Sequence, residues 1–268
     1  MVIDALVAPF QVLARQRPVI TTFVQREIRT RYVTSALGVG WALIRPLSLL
    51  VLYTFVFSYV LKVKFGGNSR SDFAFNLFCG LVPWLAFSDG ITRATTAIAE
   101  QAPLVKRVRF PSEILPIHQV LVSLALESLG LVILLGALIV VGRAPGWPLL
   151  TVAAIAIPQF LFTAGIAWAV GALSVLVPDT RQVVSFGLVF WMYATPIVYP
   201  LEMVPERFRW VYQLNPLAYL VGAYRGAVLQ HQVPALVPCA AFCATSLVIF
   251  IAGYWVFNRL KYEFADVL

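Results

Sequence analysis

The sequence predicts an all-α membrane protein with six transmembrane helices, an N-terminal amphipathic interface helix, and re-entrant outer helices between spans five and six. Three observations lead there. Hydrophobic residues make up 60% of the 268 and charged residues 12%, whereas roughly a quarter of a soluble domain is charged. Mean hydropathy is +0.86. The apolar residues also fall into separated blocks. Lipid offers no partner to free backbone groups, so a crossing helix needs roughly 20 consecutive apolar residues.

Taken in order, residues 1–35 read as a cytoplasmic N-terminus carrying the interface helix, and residues 36–257 as six spans. The spans are Ala36–Leu61, Phe73–Ile98, Ile114–Val141, Leu149–Val177, Val183–Tyr199 and Val233–Phe257. Pro158 predicts a kink or tilt in the fourth, and the fifth is close to the lower limit for a crossing. Residues 201–232 are the outer helices and 258–268 a cytoplasmic tail, all within one domain, 1–268. Residues 1–18 lack the charged start and long apolar run of a secretory signal, which leaves the first span as the targeting signal.

An even number of spans puts both termini on one side of the membrane. That side carries Arg15, Arg17, Arg26, Arg29, Arg31, Lys106, Arg107, Arg109, Arg181, Arg259 and Lys261, eleven basic residues against seven in the opposite loops. The excess makes it cytoplasmic. A net charge of +8 then fits anionic headgroups better than nucleic acid.

Within the interface helix, Ile20, Val24, Ile28 and Tyr32 recur at i+4 as an apolar stripe, with Arg26 and Arg29 on the opposite face and Arg31 at its flank. Gly38 and Gly40 follow, where the chain must turn into the bilayer. Two readings stand: an anchor obeying the positive-inside rule, or a headgroup site in which guanidinium forks bind phosphate oxygens. A second basic segment, Glu100 to Pro116, is bracketed by prolines and holds Lys106, Arg107, Arg109 and Phe110. It reads either as a solvated loop or as a contact for a protein partner anchored by Phe110.

On the outer side, Pro205 can start one short helix, and Asn215 with Pro216 reads as N-cap and first position of a second. Phe208, Trp210, Tyr212, Tyr219 and Tyr224 form either an interfacial belt or a gate whose ring faces suit sugars. Tyr53, Tyr59, Trp191, Tyr193 and Tyr199 are candidates for a path lining, with lipid-facing or core packing as the alternative. Arg45 and Asp89 lie at roughly 13 Å depth at 1.5 Å per residue, so they can pair, and Arg93 at i+4 can share the Asp89 carboxylate. Arginines lining a wet path or snorkelling to headgroups are the competing readings.

The segments "RTRYVTSALGVGWALIRPLSLLVLYTFVF", "LVKRVRFPSEILP" and "TPIVYPLEMVPERFRWVYQLNPLAYLVGAYRGAVL" together resemble the transmembrane subunits of ABC-2 type exporters for O-antigen and teichoic-acid polysaccharides, the Wzm and TagG type, also described as type V exporters. The resemblance implies a homodimer bound to two cytoplasmic ATPase subunits, exporting polyprenyl-pyrophosphate-linked glycan across a bacterial inner membrane. It places the interface helix at Val19 to Val33 and reception of the lipid pyrophosphate at the Leu37-Gly38 turn, and Arg26, Arg29, Arg31 and Tyr32 are the residues expected to bind it beside that turn. Gln101 to Phe110 become the ATPase-coupling segment and Pro205 to Leu229 the outer gate. Arg45 departs from the Asn or Glu that many relatives hold before the first-span proline, which leaves the glycan class open.

No G-x-x-x-x-G-K-[ST] occurs, so ATP and Mg belong to the partner subunit, and this chain is expected to be non-catalytic. His118, His231, Cys79, Cys239 and Cys243 predict no metal site and no disulfide. A membrane-embedded transferase acting on lipid-linked sugars would need clustered carboxylates, and an ion-coupled transporter would need inverted repeats. The sequence shows neither.

Overall fold

The computed structural model describes residues 2–33, 38–63, 70–107 and 110–268, without the side chains at 2–6, 32, 33, 39, 42, 43, 45, 70, 107, 265 and 266. The expectations on Leu37 and Arg109, and on the side chains of Tyr32, Arg45 and Arg107, lie outside the described residues.

All regular structure among the described residues is helical. Two helices precede the first expected span, α1 (Val2–Arg15) and α2 (Arg17–Val33). Gly38 then adopts φ +52°, a left-handed conformation that favours glycine, and the chain enters α3 (Trp41–Tyr53), continued by a π-helical stretch Thr54–Val60. There follow α4 (Arg70–Ala97), the short α5 (Ala102–Arg107), α6 (Ile114–Val140), α7 (Leu150–Leu176) and α8 (Thr180–Tyr193). The chain ends with α9 (Arg209–Leu214), α10 (Pro216–Leu229), α11 (Leu236–Leu260) and α12 (Phe264–Val267).

Four helical segments among the described residues are long and apolar enough to cross a membrane: Ser71–Ala97, Ile114–Val140, Trp147–Leu176 and Leu236–Glu263. This is a multi-pass membrane protein. The other two expected spans are shorter. The run Trp41–Val60 is about 30 Å long and α8 about 21 Å at 1.5 Å per residue. The span read as Val183–Tyr199 thus stops at Tyr193, because Pro196 and Pro200 cannot continue a helix.

Helix α4 is the centre of the bundle, packed by α6, α7, α10 and part of α8. Its Phe73, Leu77, Leu81, Phe87 and Ile91 are buried in the main core. A second core at the opposite end of α4 joins Trp168 of α7 to Phe250 and Phe257 of α11 and Phe264 of α12. Helix α1, which the sequence reading leaves inside a cytoplasmic tail, adds Ala8, Val12 and Leu13 to this core and stacks Phe10 on Phe250 at 5.0 Å. Helices α7 and α11 cross at Gly165 and Gly253, where a methyl group added to either glycine would overlap the facing backbone. Close approach at small residues is how helices associate where lipid supplies no hydrophobic drive.

Residues 201–229 fold as two 3-10 turns, Leu201–Met203 and Glu206–Phe208, followed by α9 and α10. Asn215 N-caps α10 as expected, its Oδ1 accepting from Leu217 N at 3.0 Å. The same oxygen accepts from Trp191 Nε1 at 3.0 Å, and Nδ2 donates to Ala194 O at 3.0 Å and Thr195 Oγ1 at 2.9 Å. One buried amide therefore starts α10 and ends α8, with its donors and acceptor all used.

Candidate functional site

Helix α2 docks through residues spaced four apart: Phe23, Glu27 and Arg31. Phe23 packs on Phe110 (5.8 Å between ring centres) and edge-on against His118 (5.4 Å). Arg31 Nη1 donates to Asp89 Oδ2 at 2.9 Å and Nη2 to Gln119 Oε1 at 3.0 Å. Arg93 Nε donates to Asp89 Oδ1 at 3.2 Å, and Ser123 Oγ to Asp89 Oδ2 at 2.9 Å. Glu27 Oε1 lies 3.6 Å from Arg31 Nε and 3.9 Å from Arg93 Nη1. Gln119 Nε2 in turn faces His118 Nε2 at 3.1 Å, and His118 Nδ1 faces the Ile114 carbonyl at 3.3 Å. A neutral His118 protonated on Nδ1 satisfies both contacts.

The expected stripe Ile20, Val24, Ile28 is corrected by this geometry. Ile20 is buried, but Ile28 is 36% exposed, and the inward side continues through Glu27 and Arg31 instead. The physical reason is pairing: charged side chains enter an apolar bundle when partners wait there, and α4 and α6 supply them. Arg26 and Arg29 are exposed on the other face. Arg31 is an ion-pair partner of Asp89, and the expected sharing of Asp89 by Arg93 is present.

Beside this junction lies a cavity of about 250 Å³, with Arg31, Asp89 and Arg93 at one end, Trp41 and Pro46 on the α3 side, and Glu127 and Gly130 deeper in. Its polar groups sit on a wall of Val82, Leu85, Ala86 and Leu126. Arg31 and Arg93 are balanced by Asp89 and Glu27, so a closed ion-pair cluster caps one end of an apolar slot.

At the opposite end of the bundle, Arg143 Nη2 pairs with Asp72 Oδ1 at 2.5 Å. A wider cavity of about 770 Å³ opens there, lined by Asp72, Asn76, Arg143, Glu202, Tyr212 and Tyr219 among others. Of the gate aromatics, Phe208 and Trp210 are exposed, Tyr212 shares a hydrogen bond with Tyr199 (2.8 Å), and Tyr219 packs on Phe242 at 5.3 Å. Tyr224 is buried, its hydroxyl on Glu127 of α6 and Gln159 of α7. It belongs to the core of the bundle. Arg225 beside it is also buried, with Nε on the Asn76 carbonyl at 3.0 Å, Nη1 on Pro196 O at 2.6 Å and Nη2 on Ile197 O at 2.7 Å.

The path-lining candidates divide in the same way. Tyr59 and Tyr193 are exposed, and Tyr199 donates to the Tyr193 carbonyl. Tyr53 reaches Met192 Sδ at 3.8 Å, and Trp191 packs edge-on against Phe87 at 5.3 Å. In the basic segment Lys106 is exposed at the end of α5, while Phe110 packs inward against Phe23. Phe110 therefore secures α2 to the bundle rather than presenting its ring to a partner.

The model of the ABC-2 type transporter family matches residues 18–229. The chain belongs to the ABC-2 type transporter family. It is 29% identical over 256 residues to the O-antigen export system permease protein RfbA of Myxococcus xanthus, covering 95% of this chain and 96% of that one. It is also 29% identical to an RfbA permease of Klebsiella pneumoniae, over 93% of this chain and 94% of the relative. The polysialic acid transport protein KpsM of Escherichia coli is 25% identical over 89% of this chain and 93% of its own length.

In this ABC-2 chain the matched stretch runs from the start of α2 to the last residue of α10, so it contains both the Arg31–Asp89 junction and helices α9 and α10. Sequence reasoning missed Glu27, Gln119, Ser123 and Gln159 as parts of the site. Gln119, Ser123 and Glu127 stand four apart on an otherwise apolar span, a polar ladder that was legible as a face of α6. Among the described residues no three His, Cys, Asp or Glu side chains converge on a metal-sized site.

Proposed function

We propose that this chain is the six-span permease of an ATP-driven exporter, which carries polyprenyl-pyrophosphate-linked polysaccharide of the O-antigen kind across the bacterial inner membrane. The observation that carries the reading is its full-length likeness to O-antigen export permeases, within a family match that spans α2 to α10. Both termini are cytoplasmic, on the side where α2 and α12 flank the bundle. Arg26 and Arg29, with Gly38 at the turn, meet the diphosphate of the carrier. The cavity at Arg31, Asp89 and Arg93 lies next along its route.

Six spans are too few to enclose a path as wide as a glycan, so two copies share it. The exposed apolar faces of α3 and its π-helical continuation (Val51, Phe55, Val60) and of α8 (Val183, Phe186, Phe190) are the surfaces with which a second copy or lipid would be in contact. ATP and Mg act on two separate ATPase subunits reached through α5. Capsular polysaccharide is the second reading, favoured by the likeness to KpsM.

Disrupting the gene in its own host tests the proposal. Lipid-linked glycan should accumulate in the cytoplasmic leaflet while surface glycan disappears, and expression of the intact chain should restore it. Unaltered surface glycan would reject the function.

A further inference from the structure

Glu127 on α6 is buried, and among the described residues no Lys or Arg forms an ion pair with it. Its carboxyl instead belongs to a closed ring. Oε1 lies 2.5 Å from the Tyr224 hydroxyl, Oε2 lies 2.7 Å from Gln159 Nε2, and the Tyr224 hydroxyl lies 2.9 Å from Gln159 Oε1. Three residues on three helices make three contacts.

Each contact calls for its own proton. Tyr224 brings one. The Gln159 amide brings one, because its nitrogen faces a single ring neighbour and its oxygen faces the other; turning the amide over exchanges the neighbours and leaves the count unchanged. An ionised Glu127 therefore leaves two protons for three contacts, with two oxygen lone pairs opposed in a buried site. A neutral acid supplies the third. Glu127 then donates to the Tyr224 oxygen, Tyr224 to Gln159 Oε1, and Gln159 to Glu127 Oε2.

We propose that Glu127 is held as the neutral carboxylic acid, and that its proton closes a latch positioning the outer helix α10 on α6 and α7. The charged groups described around it are engaged elsewhere. Across the cavity from α2 and α4, Arg31 and Arg93 hold Asp89. On α10, Arg225 holds three carbonyls, and on α4 Cys79 is the other titratable neighbour of Tyr224. Burying a carboxylate with no cation against it among the described residues is costly, in keeping with the proton count of the ring. Glu127 also stands two turns from Gln119, the Arg31 acceptor, with Ser123 between them. The latch and the interface helix are thus mounted on one face of one rigid helix, and α10 can leave its seat only by opening the ring.

Infrared difference spectroscopy on the full chain in lipid at neutral pH tests the assignment, and it does so whatever the chain transports. The carbonyl band of a protonated carboxylic acid should be present and should vanish in Glu127→Gln. That variant should otherwise stay folded, because its amide offers a donor and an acceptor in the same places, whereas Glu127→Leu should lower folded protein severalfold. Spectra without a protonated-acid band that Glu127→Gln removes would overturn the neutral acid. Folded protein lost as fully in Glu127→Gln as in Glu127→Leu, or in neither, would overturn the latch.

Discussion

Arg31, in the last turn of α2, donates to Asp89 in the sixth turn of α4 at 2.9 Å, with its side chain only 7% exposed. This pair fastens the helix lying outside the bundle to the bundle's central helix. Orphaning one member of a buried pair costs about 3–5 kcal/mol; here the cost falls below that range, because Arg93 still pairs with Asp89 and Glu27 still faces Arg31. Arg31→Gln or Asp89→Asn alone should therefore lower thermal stability, and the double variant should recover part of the loss. Additive losses in a thermal-melt comparison would show that the two residues act independently.

The crossing of α7 and α11 makes a steric prediction. Gly253→Val must displace backbone at Gly165, so it should destabilise by about 3 kcal/mol or more, at or above the usual overpacking range. Gly187→Val on α8, where an added Cβ meets nothing within 4 Å, should change far less. Yield and melting temperature in detergent measure both; equal losses would contradict the packing.

Arg225 spans three carbonyls from α4 and the turn after α8. Lysine carries the charge but lacks the planar fork, and hydrogen bonds to charged groups contribute about 1.5–3 kcal/mol each. Arg225→Lys should lose at least one of these bonds, seen as a lower melting temperature. Gly80→Ala should share the defect, because its Cβ would press on Arg225 Nη2. Wild-type melting in both variants would count against the clamp.

Long apolar blocks were legible because crossing a membrane requires them, and the ends of α6 and α7 fall within one or two residues of the expected spans. Asn215 and Pro216 were legible for a local reason: an N-cap and a first-turn proline act within one helical turn. The inward face of α2 was not. Glu27 and Arg31 look like solvent residues until Asp89 and Gln119, far along the chain, are placed opposite them. Tyr224 misled in the same way, since an aromatic near a membrane surface reads as a belt unless its hydroxyl is known to reach Glu127. Helix α1 was missed because its contact surface, Phe250 and its neighbours on α11, is nearly the whole chain away.

The coupling assignment predicts an asymmetry. A cysteine at exposed position 106 should crosslink to the ATPase subunit, while a cysteine at 110, packed against Phe23, should crosslink poorly. Labelling of position 106 from outside the cell would invert the topology.

Transport in proteoliposomes tests the central claim most directly. The purified chain, reconstituted with its ATPase partner and polyprenyl-pyrophosphate-linked glycan, should move that glycan across the bilayer in an ATP-dependent manner. The double variant Arg26→Gln/Arg29→Gln alters only exposed side chains, so it should assemble and hydrolyse ATP normally yet reduce translocation at least tenfold. ATP hydrolysis without glycan movement by the wild-type complex, or full translocation by the double variant, would contradict the account.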